Sequence, residues 1–147
     1  MKIHVASDHG GFEIKLKLVK FLQKKGHTII DYGPVKLDAN DDYPDYVIPL
    51  AKEVGKGRRF GIVICRNGQG VCIATNKVKG VRAVTGFSKK EAKTTRLDDN
   101  ANILCIPADY LSFEQVKSIV NVWLNTEFSG ASRHKRRLTK IKKLTGR

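Results

Sequence analysis

The stretch Phe60 to Lys77, FGIVICRNGQGVCIATNK, constrains the fold more than any other part of the chain. An apolar run from Phe60 to Ile64 stops at Cys65, a short segment holding Gly68 and Gly70 follows, and Val71, Cys72, Ile73 and Ala74 begin a second apolar run. That spacing predicts strand, glycine turn, helix. Glycine lets backbone approach a ligand closely, and the first N–H groups of a helix have no intrahelical partner, so they face whatever sits at the turn. An anion suits that position. Cys65, at the carboxyl end of the strand and beside those N–H groups, stands where a helix dipole stabilises a thiolate. A base beside an oxyanion site is the equipment for moving a proton alpha to a carbonyl. The plainer reading is that Gly-x-Gly is a weak motif and cysteine is often simply core. Neither the Walker pattern nor the dinucleotide fingerprint is present.

The flanking sequence repeats the strand-then-helix theme. Lys2 to Ala6 reads as a strand ending at Ser7-Asp8-His9-Gly10-Gly11, and Phe12, Leu16, Val19 and Leu22 share a helical face up to Lys25, with Gly26 as its cap. His27 to Asp31 is a second strand, and Asp42-Tyr43-Pro44 opens a helix to about Val54 with Pro44 in its first turn. Beyond Lys77, Arg82 to Thr85 and Ile103 to Ile106 are strands. Ser88-Lys-Lys-Glu91 and Ser112-Phe-Glu-Gln115 are capping boxes, the second opening a helix whose Val116, Ile119, Val120 and Trp123 form one face. The alternation predicts one α/β domain over 1–147: a three-layer, Rossmann-like fold with a parallel sheet of about five strands and helices on both faces. A basic C-terminal helix over about 131–147 turns His134, Leu138 and Ile141 toward the body. Ligands of such sheets bind beyond the carboxyl ends of the strands, where Asp8, His9 and Cys65 to Gly70 converge. Cys72, Cys105, His27 and His134 read as structural.

Charge and cysteine content narrow the partners. The net charge is +14, of which the eight positive charges between Arg133 and Arg147 account for 8 without one acid, leaving +6 for the body. That run leaves nucleic acid or polyphosphate open, but no aromatic residue within it is placed to stack on bases. Three cysteines without C-x-x-C spacing argue against a disulfide framework and a zinc site. With no apolar run of about 20 residues to span a bilayer and no signal-type leader, a cytoplasmic location is expected and no membrane partner.

Ser7-Asp8-His9-Gly10-Gly11-Phe12, Asp42-Tyr43-Pro44, Gly61-Ile62-Val63-Ile64-Cys65 with Gly68-x-Gly70, Ala74-Thr75-Asn76-Lys77 with Lys79-Gly80-Val81-Arg82-Ala83, and Gly130 with Arg133-His134 and Arg137 follow one another in order. Together they resemble the type B ribose-5-phosphate isomerases, a family that also includes the galactose-6-phosphate isomerase subunits. The resemblance implies an aldose-ketose isomerase working through a cis-enediolate, ribose 5-phosphate to ribulose 5-phosphate first, without metal or other cofactor. It further implies a homodimer with the site at its interface; whether dimers pair into tetramers stays open. Cys65 matches the family's base, and the N–H groups of Gly68, Gln69, Gly70 and Val71 match its anion hole. Asp8 and Tyr43 match residues around the sugar, and His9, Arg133 and Arg137 match the groups that hold phosphate. Spacing agrees for the two arginines, which at i and i+4 share a helix face as a phosphate fork.

Three positions depart from the family pattern. Where its loop reads Cys-Gly-Thr-Gly, this chain has Cys65-Arg66-Asn67-Gly68, so Asn67 takes the place of a substrate-orienting threonine and Arg66 adds a charge that either favours the thiolate or binds a substrate anion. Asp98-Asp99-Asn100 stands in place of His-Asn-Asp, putting Asp98 where the ring-opening histidine is expected. A carboxylate ionised at neutral pH accepts a proton more readily than it donates one. Asp109 replaces a phosphate-holding arginine. Two interpretations follow: Arg66, Asp98, Asp99 and Asp109 form a re-paired site for another sugar, such as a hexose phosphate, or the chain is a non-catalytic sugar-phosphate or nucleic-acid-binding relative.

Overall fold

A computed structural model describes residues 1–57 and 59–146. Strands and helices alternate: β1 (Lys2–Ser7), α1 (Phe12–Lys24), β2 (Thr28–Asp31), α2 (Tyr43–Gly55), β3 (Phe60–Cys65), α3 (Gln69–Thr75), β4 (Ala83–Thr85), α4 (Lys89–Leu97), β5 (Ile103–Pro107), α5 (Phe113–Leu124) and α6 (Ser132–Thr145). Arg147, the last positive charge of the tail, lies outside the described residues. The five strands form one sheet in the order β2-β1-β3-β5-β4, and every pairing is parallel.

The central strands explain their own position. β3 is buried at all but its first residue and β5 throughout, the pattern of parallel strands covered on both faces. Ile3, Val5, Ile62, Ile64, Leu104 and Ile106 face a core closed by α1, α4 and α5, in which Trp123 is fully buried. Ala6, Val63, Cys65, Ile103 and Cys105 face the opposite core, closed by α2 and α3. From β1 the chain goes to β2 on one side and, after α2, to β3 on the other, so the loops after β1 and β3 flank a topological switch point. Asp8 N–H donates to the Ile64 carbonyl across it, at 3.3 Å.

The caps follow the sequence closely. Ser112 and Gln115 form a reciprocal capping box. Ser88 accepts from Glu91 N–H, whereas the Glu91 carboxylate reaches one residue further back, to Phe87 N–H at 3.0 Å. Two expectations are corrected. The buried stripe of α1 is Phe12, Lys15, Leu18 and Leu22, while Leu16 is exposed, because Lys15 finds partners that its helix does not contain. Its ammonium donates to both Asp31 oxygens at 2.9 Å and to the Pro34 carbonyl at 2.7 Å. In α6, His134 is buried but Leu138 only partly, and Ile141 is 58% exposed, so the helix leaves the body after its first turns.

Candidate active site

The loop after β3 turns on Gly68, whose φ of +73° admits few side chains. That left-handed turn swings the chain so that Gly68 N–H donates to Cys65 Sγ at 3.2 Å. The thiol is buried, which raises its pKa above the ordinary thiol value; the N–H groups of Val71, Gly68 and Asn67 oppose this only in part, so burial outweighs the thiolate stabilisation expected from the helix start. Asn67 Oδ1 accepts from Gln69 N–H at 3.0 Å and from the Cys65 thiol at 3.9 Å. Its oxygen therefore caps the start of α3, and what Asn67 offers a ligand is its amide donors.

Three other segments close on this turn. Tyr43, first residue of α2, lies directly over Gly70: a β-carbon there would sit 2.9 Å from both Cζ and the hydroxyl oxygen. Asp8 caps the turn after β1, accepting from Gly11 N–H at 3.0 Å, and its burial raises its carboxyl pKa. Beside it, His9 is held by Asp41, which accepts from His9 N–H at 3.0 Å and pairs with Nδ1 at 2.7 Å. The Arg66 stem packs over Gly10, and its guanidinium is 3.6 Å from Asp109, whose N–H donates to the Arg66 carbonyl at 2.9 Å. Arg66 and Asp109 thus meet as an exposed ion pair of small energetic weight.

Other predicted residues lie elsewhere in the chain. Asp98 caps the carboxyl end of α4 and stands 3.4 Å from His134 Nδ1, which also meets Ser129 Oγ at 3.2 Å. Asp99 is exposed beside it, and Ser129 N–H donates to the Leu97 carbonyl where the chain departs toward α6. This junction adjoins the start of β5, whereas Cys65 pairs with Pro107 at the end of β5, about 13 Å away along the strand. Arg133 and Arg137 are exposed on α6, which continues along a cleft of about 1680 Å³ against α2 and residues 78–83. Within one chain, Asp98, Asp99, Arg133 and Arg137 do not join Cys65.

Sequence reasoning missed Asp41 and Thr85. Thr85 Oγ1 donates to the Gly68 carbonyl at 3.5 Å from the end of β4, a contact that only the strand order creates. Cys72, read as core, is half-buried, and a hydrogen bond from Cys105 holds its thiol down to about 6.

A family model described as Ribose/Galactose Isomerase matches residues 3–141. The chain belongs to the ribose/galactose isomerase family. The probable ribose-5-phosphate isomerase B of Mycoplasma genitalium is 43% identical over 141 residues, 95% of this chain and 92% of that protein. The crystal structure of ribose-5-phosphate isomerase B from Mycoplasma genitalium with bound ribulose-5-phosphate superposes with a TM-score of 0.95 at 41% identity, covering 99% of this chain and 96% of the other. Its counterpart from Thermotoga maritima gives 0.90 at 37% identity, with 97% of each chain covered. The α/β, Rossmann-like architecture is thus that of solved family members. Among the described residues, no helix is long and apolar enough to cross a membrane.

Proposed function

We infer that the protein is an aldose-ketose isomerase that interconverts ribose 5-phosphate and ribulose 5-phosphate, with Cys65 as the base. The observation that carries this reading is the buried Cys65 thiol at the switch point, ringed by backbone N–H groups of Asn67, Gly68 and Val71. As thiolate, Cys65 takes the proton from C2 of the open-chain aldose. The electron pair moves to the C1 oxygen, and the N–H groups of the α3 turn hold the enediolate. The O2 proton passes to O1 while Cys65 returns its own to C1, leaving the carbonyl at C2. Asp8 and Tyr43 flank the sugar; Arg66 and His9 face its anionic end.

The active form is a homodimer in the cytoplasm. Arg133 and Arg137 flank His134, which meets Asp98 near the start of β5, whereas Cys65 pairs with Pro107 at that strand's end, so a complete phosphate site would draw them from a second copy. Three unpaired thiols fit a reducing compartment. Coupled assay of purified protein on ribose 5-phosphate and a panel of pentose and hexose phosphates tests the reading. The Cys65→Ala variant should lose at least about a thousandfold in kcat with its fold intact. Undiminished turnover by that variant would remove Cys65 from the mechanism.

A further inference from the structure

We propose that Asp41 is the positioning residue that presents His9 to the substrate's phosphate, an assignment that rests on the sugar-phosphate reading above. Asp41 lies in the loop between β2 and α2, 32 positions from His9, yet its side chain is only 3% exposed. One oxygen, Oδ1, accepts from His9 twice, from the backbone N–H at 3.0 Å and from ring Nδ1 at 2.7 Å. The first bond fixes the turn after β1 and the second fixes the ring.

A carboxylate accepts only, so the Nδ1 contact places a proton on that nitrogen and leaves Nε2 as the free ring nitrogen. The His9 side chain is 29% exposed, which keeps the ring open to a ligand. Carrying a proton at Nε2, the imidazole stands between two anions, Asp41 behind and a phosphate in front. Also charged and against this turn are Asp8, its neighbour, and Arg66, whose stem lies over Gly10.

A loop cap alone does not account for this carboxylate. Asp41 Oδ2 is buried and makes no hydrogen bond of normal geometry among the described residues, with the Tyr46 hydroxyl close by. Burying a charge is costly unless an opposite charge compensates it, and a neutral Asn or Ser would cap the backbone without that cost. The compensation comes when His9 carries its second proton against a bound phosphate.

Steady-state kinetics on ribose 5-phosphate with Asp41→Ala, Asp41→Asn, His9→Ala and the double Ala variant tests the proposal. Asp41→Ala should raise KM about tenfold with kcat within about twofold, the loss expected for one charge-assisted contact. Asp41→Asn, which keeps an oxygen for both N–H groups but no charge, should raise KM about threefold on the same scale. Adding Asp41→Ala to His9→Ala, which still loses the bond to the backbone N–H of residue 9, should raise KM by much less than Asp41→Ala does alone. Nitrogen-15 NMR of the imidazole, which needs no turnover, should find His9 protonated at Nδ1 in the unmodified protein and redistributed in Asp41→Ala. Additive KM effects, a fall in kcat at unchanged KM, or a His9 ring protonated at Nε2 alone would overturn the assignment. If the unmodified protein turned over no sugar phosphate, the isomerase reading would fail, while the NMR would still decide whether Asp41 sets the tautomer.

Discussion

Gly11 is the position where a single methyl group should test how the two halves of the site are joined. It lies at the start of α1, against the end of β3, and a β-carbon there would come 2.4 Å from the Ile64 carbonyl oxygen, 2.7 Å from its carbon and 2.8 Å from Ile64 Cβ. Two of these three atoms are backbone in a central strand, so no rotamer relieves the clash. Ordinary van der Waals separation requires opening about 1 Å between the Asp8–Gly11 turn and β3. Overpacking of this kind costs about 1–3 kcal/mol, and the Asp8 N–H bond to Ile64, stretched beyond its 3.3 Å, forfeits about 1 more. At about 2–4 °C per kcal/mol for a chain of this size, Gly11→Ala should lower Tm by about 4–16 °C. The same shift carries Asp8 and His9 away from Cys65. A displacement of about 1 Å between catalytic groups is worth about a hundredfold, so kcat/KM for ribose 5-phosphate should fall by that order in protein still folded at the assay temperature. Gly26→Ala is the control: a β-carbon there meets nothing within 4 Å, and its left-handed φ of +79° costs stability through backbone strain rather than a clash, at the far end of α1 from the Asp8–Gly11 turn. It should lose stability and keep its activity. An unchanged Tm for Gly11→Ala would refute the contact, and a lowered Tm with full kcat/KM would refute the coupling of the two loops.

Two further outcomes follow from buried groups. Because burial raises the Cys65 thiol above its ordinary 9.0 and only the thiolate is a base, kcat/KM should climb about tenfold per pH unit from pH 7 and level off only beyond about pH 9; a flat profile over that range would count against a thiolate base. In the Lys15–Asp31 pair the ammonium is fully buried and the carboxylate 39% exposed, so the partners are unequal. Asp31→Ala strands a buried charge and should cost about 3–5 kcal/mol in urea unfolding, whereas Lys15→Met leaves a hydratable carboxylate and should cost about 2 kcal/mol; the reverse order would refute the burial argument.

What could be read from the sequence is what is local in it. Capping residues, the strand–turn–helix at Cys65 and the strand–loop–helix at Asp8 each declare themselves within a dozen residues, because the hydrogen bonds that decide them span three or four positions. Alternation of strands and helices implies a parallel sheet, but not that β5 inserts between β3 and β4, and that insertion is what brings Thr85 and Pro107 against Gly68. Lys15 illustrates the same limit. Helical periodicity assigns it to the solvent side, and only Asp31 and Pro34, arriving from the far end of β2, make its burial affordable. His9 looks like a lone loop histidine until Asp41 comes from 32 residues away. The turn at Cys65 is thus legible because its own backbone supplies the donors, while what holds His9 and where Arg133 and Arg137 fall relative to Cys65 are not, because each depends on a second segment. For Arg133 and Arg137 the dependence goes further: they flank His134 on α6, which meets Asp98 near the start of β5, whereas Cys65 pairs with Pro107 at that strand's end, and no local pattern in the sequence reports that separation.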